Sequence, residues 1–463
     1  MATSKYAWVI AFLCFLAGVT FMTGIMMYAY NVSFIAEGLG VSVEELAMAT
    51  SLFGALSTGC AFIAGMVGNK IGPRLAMGGG MLGMGILFVL IGLIVNDVMT
   101  FIILYAFSGV FGATLTASIT PKLIASWFAP NMRAKGMMIN TLGGSGVGAL
   151  FGIILPIFLL NFGWEGCFEI MGVVIIVFSV IFFLLCRNTP ESVGTHAFGA
   201  TEEQKKEYAA VAAVHLDTKT VIKQVLKMKI TWIYGISYIF WTFYFTVSNA
   251  FQTPAILACG YDITTAGFIG TCTMICLMIS QALFSSLSDK FLSRKTIMGL
   301  MAIGNGAMQF GLMWILLAGV DIPILIVYVC ILGLITGHAA LLNTMMAEVY
   351  PPSLRAVGPG VISTIAIIGT FFGPLIGAAF VGFMGGQLPY AIPFAGAMLI
   401  ISGLMIFFMF PKTGGKYGDP MADKEAAEIL AAKQADAAAL EPAADAAVAE
   451  APVAEAAAAP ESE

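Results

Sequence analysis

The chain has 463 residues, of which 59% are hydrophobic and 10% charged, with a formal net charge of −5. A soluble domain carries about 25% charged residues, so the composition excludes a soluble globular protein and makes the bilayer the solvent. The net charge belongs to one end: residues 1–416 hold 19 Lys/Arg against 15 Asp/Glu, whereas residues 417–463 hold 2 against 11, and no nucleic-acid partner is implied.

An apolar stretch of roughly 20 residues spans the hydrocarbon core as a helix. Such stretches lie at about 7–30, 46–67, 75–95, 98–121, 136–160 and 165–186, and again at about 230–255, 264–287, 296–318, 322–346, 357–384 and 389–410. The expected fold is therefore an all-α membrane protein with twelve transmembrane helices. The first stretch is too long for a signal-peptide core and no small-residue cleavage site follows, so it reads as a retained helix. Between the second and third stretches, "GMVGNKIGPRLAMGGG" (65–80) gathers glycines around Lys70 and Arg74. It lacks the spacing and the preceding strand of a phosphate loop, and reads as a tight turn at Gly72 and Pro73.

Lys and Arg mark the cytoplasmic side of short connections. Alternate connections carry Lys70 and Arg74, Arg133 and Lys135, the basic linker, Lys290 with Arg294 and Lys295, and Arg355; the others carry Glu37, Glu44, Glu45, Asp97, Asp262 and Asp321. Both termini are expected on the cytoplasmic side of an inner (plasma) membrane. The linker, 187–229, contains "TEEQ" at 201–204, a capping box. It also contains "TKTVIKQVLKMK", with Val221, Val225 and Met228 on one face and Lys219, Lys223 and Lys227 on another. Such a basic amphipathic segment suits anionic headgroups. The alanine-rich acidic tail, 413–463, has little to bury and is expected to be disordered.

The linker separates six helices from six, residues 1–186 and 230–412, and the two sets repeat. "FAPNMRAKG" (128–136) aligns with "YPPSLRAVG" (350–358) at an offset of 222, and "NKIGPR" (69–74) with "DKFLSR" (289–294) at 220. Glycines step by four at Gly144, Gly148 and Gly152 and at Gly369, Gly373 and Gly377, a pattern that lets helices approach closely. The eight cysteines and three histidines form no CxxC pair or ligand cluster; Cys272 and Cys276 share a helix face, but two thiols make a poor metal site. No metal, cofactor or obligatory protein partner is called for, and no GxSxG, HExxH or paired intramembrane carboxylates point to an enzyme.

The loop Gly65, Asn69, Lys70, Gly72, Arg74, with its counterpart Asp289, Lys290, Arg294, Lys295, resembles the signature G-x-x-x-D-[RK]-x-G-R-[RK] of the major facilitator superfamily. The resemblance covers about residues 5–412 and implies two pseudo-symmetric six-helix bundles rocking around a midplane site. "AGVTFMTGIMMYAYNVSF", "SWFAPNMRAKG" and "GGSGVGALFGIILP" are similar to the oxalate/formate antiporter and monocarboxylate transporter branches. Those branches hold a carboxylate with a basic residue in the eighth or eleventh helix; here both helices lack an interior Lys or Arg.

An ionisable group inside a membrane helix is costly and a functional candidate by default. Lys122, in "ASITPKLIASWF", lies six residues before Phe128 and no other Lys or Arg lies as deep; Pro121 beside it is expected to free a carbonyl and bend the helix. His338 is either a proton carrier or a neutral imidazole bonded within the bundle. Tyr28, Asn31, Asn140, Trp241, Tyr244, Asn249, Gln252 and Asn343 complete the candidate substrate-binding set. Gating candidates are Asn69, Lys70, Arg74, Arg133, Asp289, Lys290, Arg294, Glu348 and Arg355, with Asp289 and Glu348 expected to latch the inner face. Together these imply a secondary transporter of a small organic solute, a carboxylate anion, with a proton or counter-anion as the coupled species. A multidrug-type exporter of hydrophobic compounds and a non-transporting receptor on a transporter scaffold are the alternatives.

Overall fold

A computed structural model describes residues 5–115, 119–128, 130–195, 197–198, 218–290, 293–351, 354 and 357–413. The tail, the capping box at 201–204 and Arg355 lie outside the described residues. In hydrocarbon no water satisfies backbone N–H and C=O groups, so a chain this apolar closes its hydrogen bonds within helices. Among the described residues the one β-type pairing is the isolated bridge between Phe128 and Phe198.

The first half contains α1 (Tyr6–Leu39), α2 (Val43–Gly59, continued by Ala61–Ile71), α3 (Pro73–Ile94) and α4 (Val98–Gly112, a 3-10 turn at Ala113–Leu115, then Thr120–Trp127). Pro130–Leu185 follows, a 56-residue run that is helical on both sides of Gly163. Straight, that run would be about 84 Å long at 1.5 Å per residue, nearly three times the roughly 30 Å core. Gly163, at φ 71 and ψ 178, breaks it into α5 (130–162) and α6 (164–185). The second half contains α7 (Lys229–Ala258), α8 (Ile263–Lys290), α9 (Arg294–Leu317), α10 (Ile322–Thr336, then Ala339–Glu348), α11 (Gly358–Ile365, then Ile367–Phe383) and α12 (Ala391–Met409). A linker helix, Thr218–Lys227, precedes α7.

Nine described segments are long and apolar enough to cross a membrane unaided. The Gly136–Leu185 segment holds two crossings, and α2 and α10 miss the length only because each is interrupted, which restores the expected twelve. One end of the bundle, the basic end, carries Lys70, Arg74, Arg187, Arg294 and Lys295; the opposite, acidic end carries Glu44, Glu45, Asp97, Asp262 and Asp321.

Across the two halves α2 packs on α11, α5 on α8 and α1 on α7. A Cβ added at Gly54 of α2 would stand 2.5 Å from the Thr370 methyl of α11. Between α5 and α8 the approach is backbone to backbone: a Cβ at Gly267 would fall on the Gly152 carbonyl, and one at Gly152 on the Gly267 carbonyl. The Thr271 hydroxyl donates to the Ala149 carbonyl across this seam at 2.7 Å, and Tyr30 of α1 lies against Gly270. These contacts run from mid-helix toward the acidic end. The two glycine ladders serve different seams: Gly148 and Gly152 face α8 in the other half, while Gly369, Gly373 and Gly377 face Ile239, Thr246, Val247 and Phe251 of α7 within their own half.

Gly267→Val should hold the acidic end apart, because no rotamer moves a Cβ off the opposing carbonyl. Spin labels at Asn96 and Asp321, measured by double electron–electron resonance, should shift to longer distances than in the unmutated background; an unchanged distribution would contradict this packing.

Candidate functional site

In both halves a short helical segment starts at a corresponding place. In α4 the described α-helix ends at Gly112, with a 3-10 turn at Ala113–Leu115, and a described helical segment starts at Thr120; in α10 regular helix stops at Thr336 and restarts at Ala339. The restart points lie 219 residues apart, matching the sequence repeat. Pro121 occupies the first turn of the α4 segment that starts at Thr120, where its missing N–H is no loss. Both restarted segments run toward the basic end, so their N-termini, with first-turn N–H groups and the positive end of the dipole, face the membrane interior. Paired discontinuous helices in corresponding positions are the physical mark of a solute site in such a bundle.

Lys122 is the third residue of the restarted α4 segment and its side chain is exposed, while Thr120, Leu123, Ile124 and Trp127 around it are buried. Its depth is not unique, contrary to the sequence reading. Because α5 begins at Pro130, Lys135 stands five residues inside its helix, as Lys122 does from Trp127. His338 occupies the break in α10, buried, with Nδ1 3.2 Å from the Ile335 carbonyl. Its Nε2 is buried without a hydrogen-bond partner among the described residues.

The other candidates separate into distinct places. Tyr28 stacks toward Tyr105 at 5.6 Å; its hydroxyl and the Asn31 Oδ1 are buried without partners among the described residues, while Asn31 Nδ2 donates to Met27 O. Asn140 of α5 donates to the Cys14 carbonyl of α1 at 2.7 Å, a helix-to-helix tie. Trp241 lies in an aromatic ladder on α7, 5.6 Å from Tyr238 and 5.5 Å from Phe245. Asn249 and Gln252 line a cavity of about 80 Å³ with Tyr30, Ser248, Thr253 and Thr273, all uncharged. Gln252 lies 23 residues along α7 from Lys229, about 35 Å, against roughly 9 Å for Lys122 from its own helix end. Measured along their helices, the two lie at different depths. The Asn343 side chain lies outside the described residues.

Tyr244 belongs to a buried network that the sequence reading missed. Its hydroxyl donates to Asn305 Oδ1 at 3.4 Å, Gln309 Nε2 donates to Asn305 Oδ1 at 3.2 Å, and Asn305 Nδ2 donates to Thr336 Oγ1 at 2.7 Å. Three helices, α7, α9 and α10, are thereby joined just before the break in α10. The signal lay in "NGAMQ": Asn305 and Gln309, one turn apart, interrupt an apolar run on a single face.

Among the gating candidates, Arg74 Nε donates to the Phe183 carbonyl at the end of α6 at 2.8 Å, and its N–H to Asn188 at 2.9 Å. In the second half Lys295, not the aligned Arg294, does the equivalent, donating to the Phe410 carbonyl at 2.8 Å. Arg294 instead pairs with Glu348 at 3.1 Å, tying α9 to α10 within one half. Lys70 is exposed at the end of α2. The side chains of Asn69, Arg133, Asp289 and Lys290 lie outside the described residues.

Two pseudo-symmetric six-helix bundles packed against each other make the fold of a class of membrane transporters. The chain belongs to the Major Facilitator Superfamily, whose sequence profile matches residues 14–257 and again 245–438. It is 23% identical over 410 residues to the glycerol-3-phosphate transporter of Bacillus subtilis, covering 83% of this chain and 86% of that one. It is 25% identical over 217 residues to the hexuronate transporter of Bacillus subtilis, covering 46% and 50%. The membrane sensor protein UhpC of Escherichia coli is 22% identical over 290 residues, covering 61% and 64%. The chain spans only 26% of a putative glycerol-3-phosphate transporter of Arabidopsis thaliana that it also matches. Among solved structures, an inward-facing, occupied bacterial homologue of the human lysosomal transporter Spinster superposes with a TM-score of 0.67 at 14% identity, over 88% of this chain and 97% of that one. The inward-open xylose transporter XylE of Escherichia coli gives 0.66 at 15%, over 90% and 99%. The protein is thus a multi-pass membrane protein of a secondary-transporter family.

Asn305→Ala removes the hub of the network and leaves the Tyr244, Gln309 and Thr336 side chains to find other partners. Buried groups left unsatisfied cost about 1–3 kcal/mol, and hydrogen bonds between membrane helices average less, so a loss of about 1–2 kcal/mol is expected, read as a lower Tm of the purified protein in detergent. An unchanged Tm would show that the network carries no stability.

Proposed function

We propose that the protein moves a small organic anion, with a carboxylate as the first choice, by alternating access. The observation that carries this reading is the pair of helical segments that start at corresponding places in α4 and α10, with exposed Lys122 in the first turn of one and His338 just before the other. Two helix N-termini aimed at the interior favour negative charge, and Lys122 adds a full positive charge at the same level. The names of the relatives agree in chemistry: glycerol 3-phosphate and hexuronate are both organic anions. Phosphate esters therefore join carboxylates as solutes to be tried. The basic end is taken as cytoplasmic by the distribution of Lys and Arg, which puts both termini inside and makes this conformer the one closed to the outside. With no nucleotide motif in the sequence, the driving force is a proton or counter-anion gradient. Arg74, Lys295 and the Arg294–Glu348 pair act by stiffening the basic end of each half so that it moves as one body.

A sensor is the second reading, favoured by the match to UhpC; a sensor binds its solute without carrying it. The multidrug-exporter alternative rests on the apolar helices and scarce charge.

Lys122→Gln should lower uptake of the labelled anion into proteoliposomes by about ten- to a hundredfold, the range of one lost charge-assisted hydrogen bond. Lys122→Arg should retain transport with altered affinity. Normal uptake by the Gln variant would remove Lys122 from the site and point to an uncharged solute. Saturable binding without any uptake, in the unmutated protein, would favour the sensor.

A further inference from the structure

The junction between the linker helix and α7 carries a sequence of chemistries along one strip of surface. Ile236 and Trp232 of α7 are exposed, at 43% and 49%, on one helix face. Lys229 begins α7 three residues before Trp232 and is exposed on that face. The strip continues onto the linker helix through Leu226, 40% exposed, to exposed Lys227 and Lys223. From Ile236 to Lys229 is seven residues, about 10 Å. The order is therefore aliphatic, indole, then three ammonium groups over the depth of a lipid's own acyl, glycerol and phosphate levels.

The strip is held in place. Val225 is fully buried in the cluster around Tyr234 and Tyr350. The Thr231 hydroxyl donates to the Val225 carbonyl at 2.6 Å and accepts from the Tyr350 hydroxyl at 2.9 Å. The Trp232 indole N–H donates to the Leu226 carbonyl at 3.0 Å, which fixes the ring between the two helices. Lys223, Lys227 and Lys229 have neither ion-pair nor hydrogen-bond partners among the described residues. A docked helix with a buried anchor, a fixed interfacial indole and three exposed lysines around the junction is a preformed surface for a phosphate-bearing amphiphile.

We propose that this junction is a binding surface for anionic phospholipid, with Lys223, Lys227 and Lys229 holding the headgroup phosphate and Trp232, Leu226 and Ile236 lying against the acyl chains. It is independent of the solute carried. Juxtamembrane lysines are drawn to anionic lipid, and the indole belongs at the interface.

The full-length protein is reconstituted in phosphatidylcholine containing a minor fraction of either phosphatidylglycerol or phosphatidylcholine with brominated acyl chains. The readout is fluorescence quenching, with the Trp232→Phe variant subtracted to isolate Trp232. Brominated phosphatidylglycerol should quench Trp232 several-fold more than brominated phosphatidylcholine at equal mole fraction. The Lys223→Gln/Lys227→Gln/Lys229→Gln variant, with helicity checked by circular dichroism, should quench equally with both. Added inorganic phosphate should leave the preference intact. Equal quenching by the two lipids in the unmutated protein would overturn the proposal. So would a preference that survives in the triple variant, or one that free phosphate abolishes, which would mark a soluble-anion site instead.

Discussion

At Gly152 and Gly267 two backbones from opposite halves of the protein touch without a side chain between them. In hydrocarbon there is no hydrophobic force to drive helices together, so association rests on close packing and on hydrogen bonds between them. Each half can be internally rigid and still separate from the other, because this seam is smooth and its one described hydrogen bond, from Thr271 to Ala149, is a single interaction of modest strength. A seam of interlocked large side chains would have to be unpacked on every cycle. The same physics explains where polar groups are spent elsewhere. Arg74, Lys295, Arg294 with Glu348, and the Tyr244–Asn305–Gln309–Thr336 network all tie helices within one half.

The architecture was legible in the sequence because the bilayer permits so few solutions. Apolar length gave the twelve crossings, and offsets near 220 pointed to the duplication. The boundaries were less legible where the chain departs from a uniform apolar run. The start of α5 was read at the first fully apolar residue, 136, but helix begins at Pro130, since an amphipathic first turn at the membrane surface does not register as hydrophobic. That misplacement is what made Lys122 look uniquely deep.

The repeat also promised more equivalence than the folded protein has. The glycine ladders match in spacing, yet one lines the seam between halves and the other lines α7, because a ladder specifies closeness without specifying a partner. Arg74 and Arg294 align, yet the capping role passes to Lys295, while Arg294 pairs with Glu348. Of the proposed site, Lys122 and His338 were picked out individually from the rarity of charge in a membrane helix. The sequence did not place them at corresponding helix starts, because the α10 interruption at Gly337–His338 has no proline to announce it. It also grouped Asn249 and Gln252 with Lys122, which only the length of α7 separates.

The central claim, that these two halves carry an organic anion rather than sense one or expel hydrophobic compounds, is most directly tested by exchange. Sealed proteoliposomes containing the purified protein are loaded in turn with unlabelled monocarboxylates, hexuronate or glycerol 3-phosphate, and entry of the labelled counterpart is followed without nucleotide. The account predicts saturable, protein-dependent exchange for at least one of these anions, abolished when the internal anion is omitted or the proton gradient is collapsed. Absence of exchange for every anion, together with export of hydrophobic cations by the same vesicles, would contradict it.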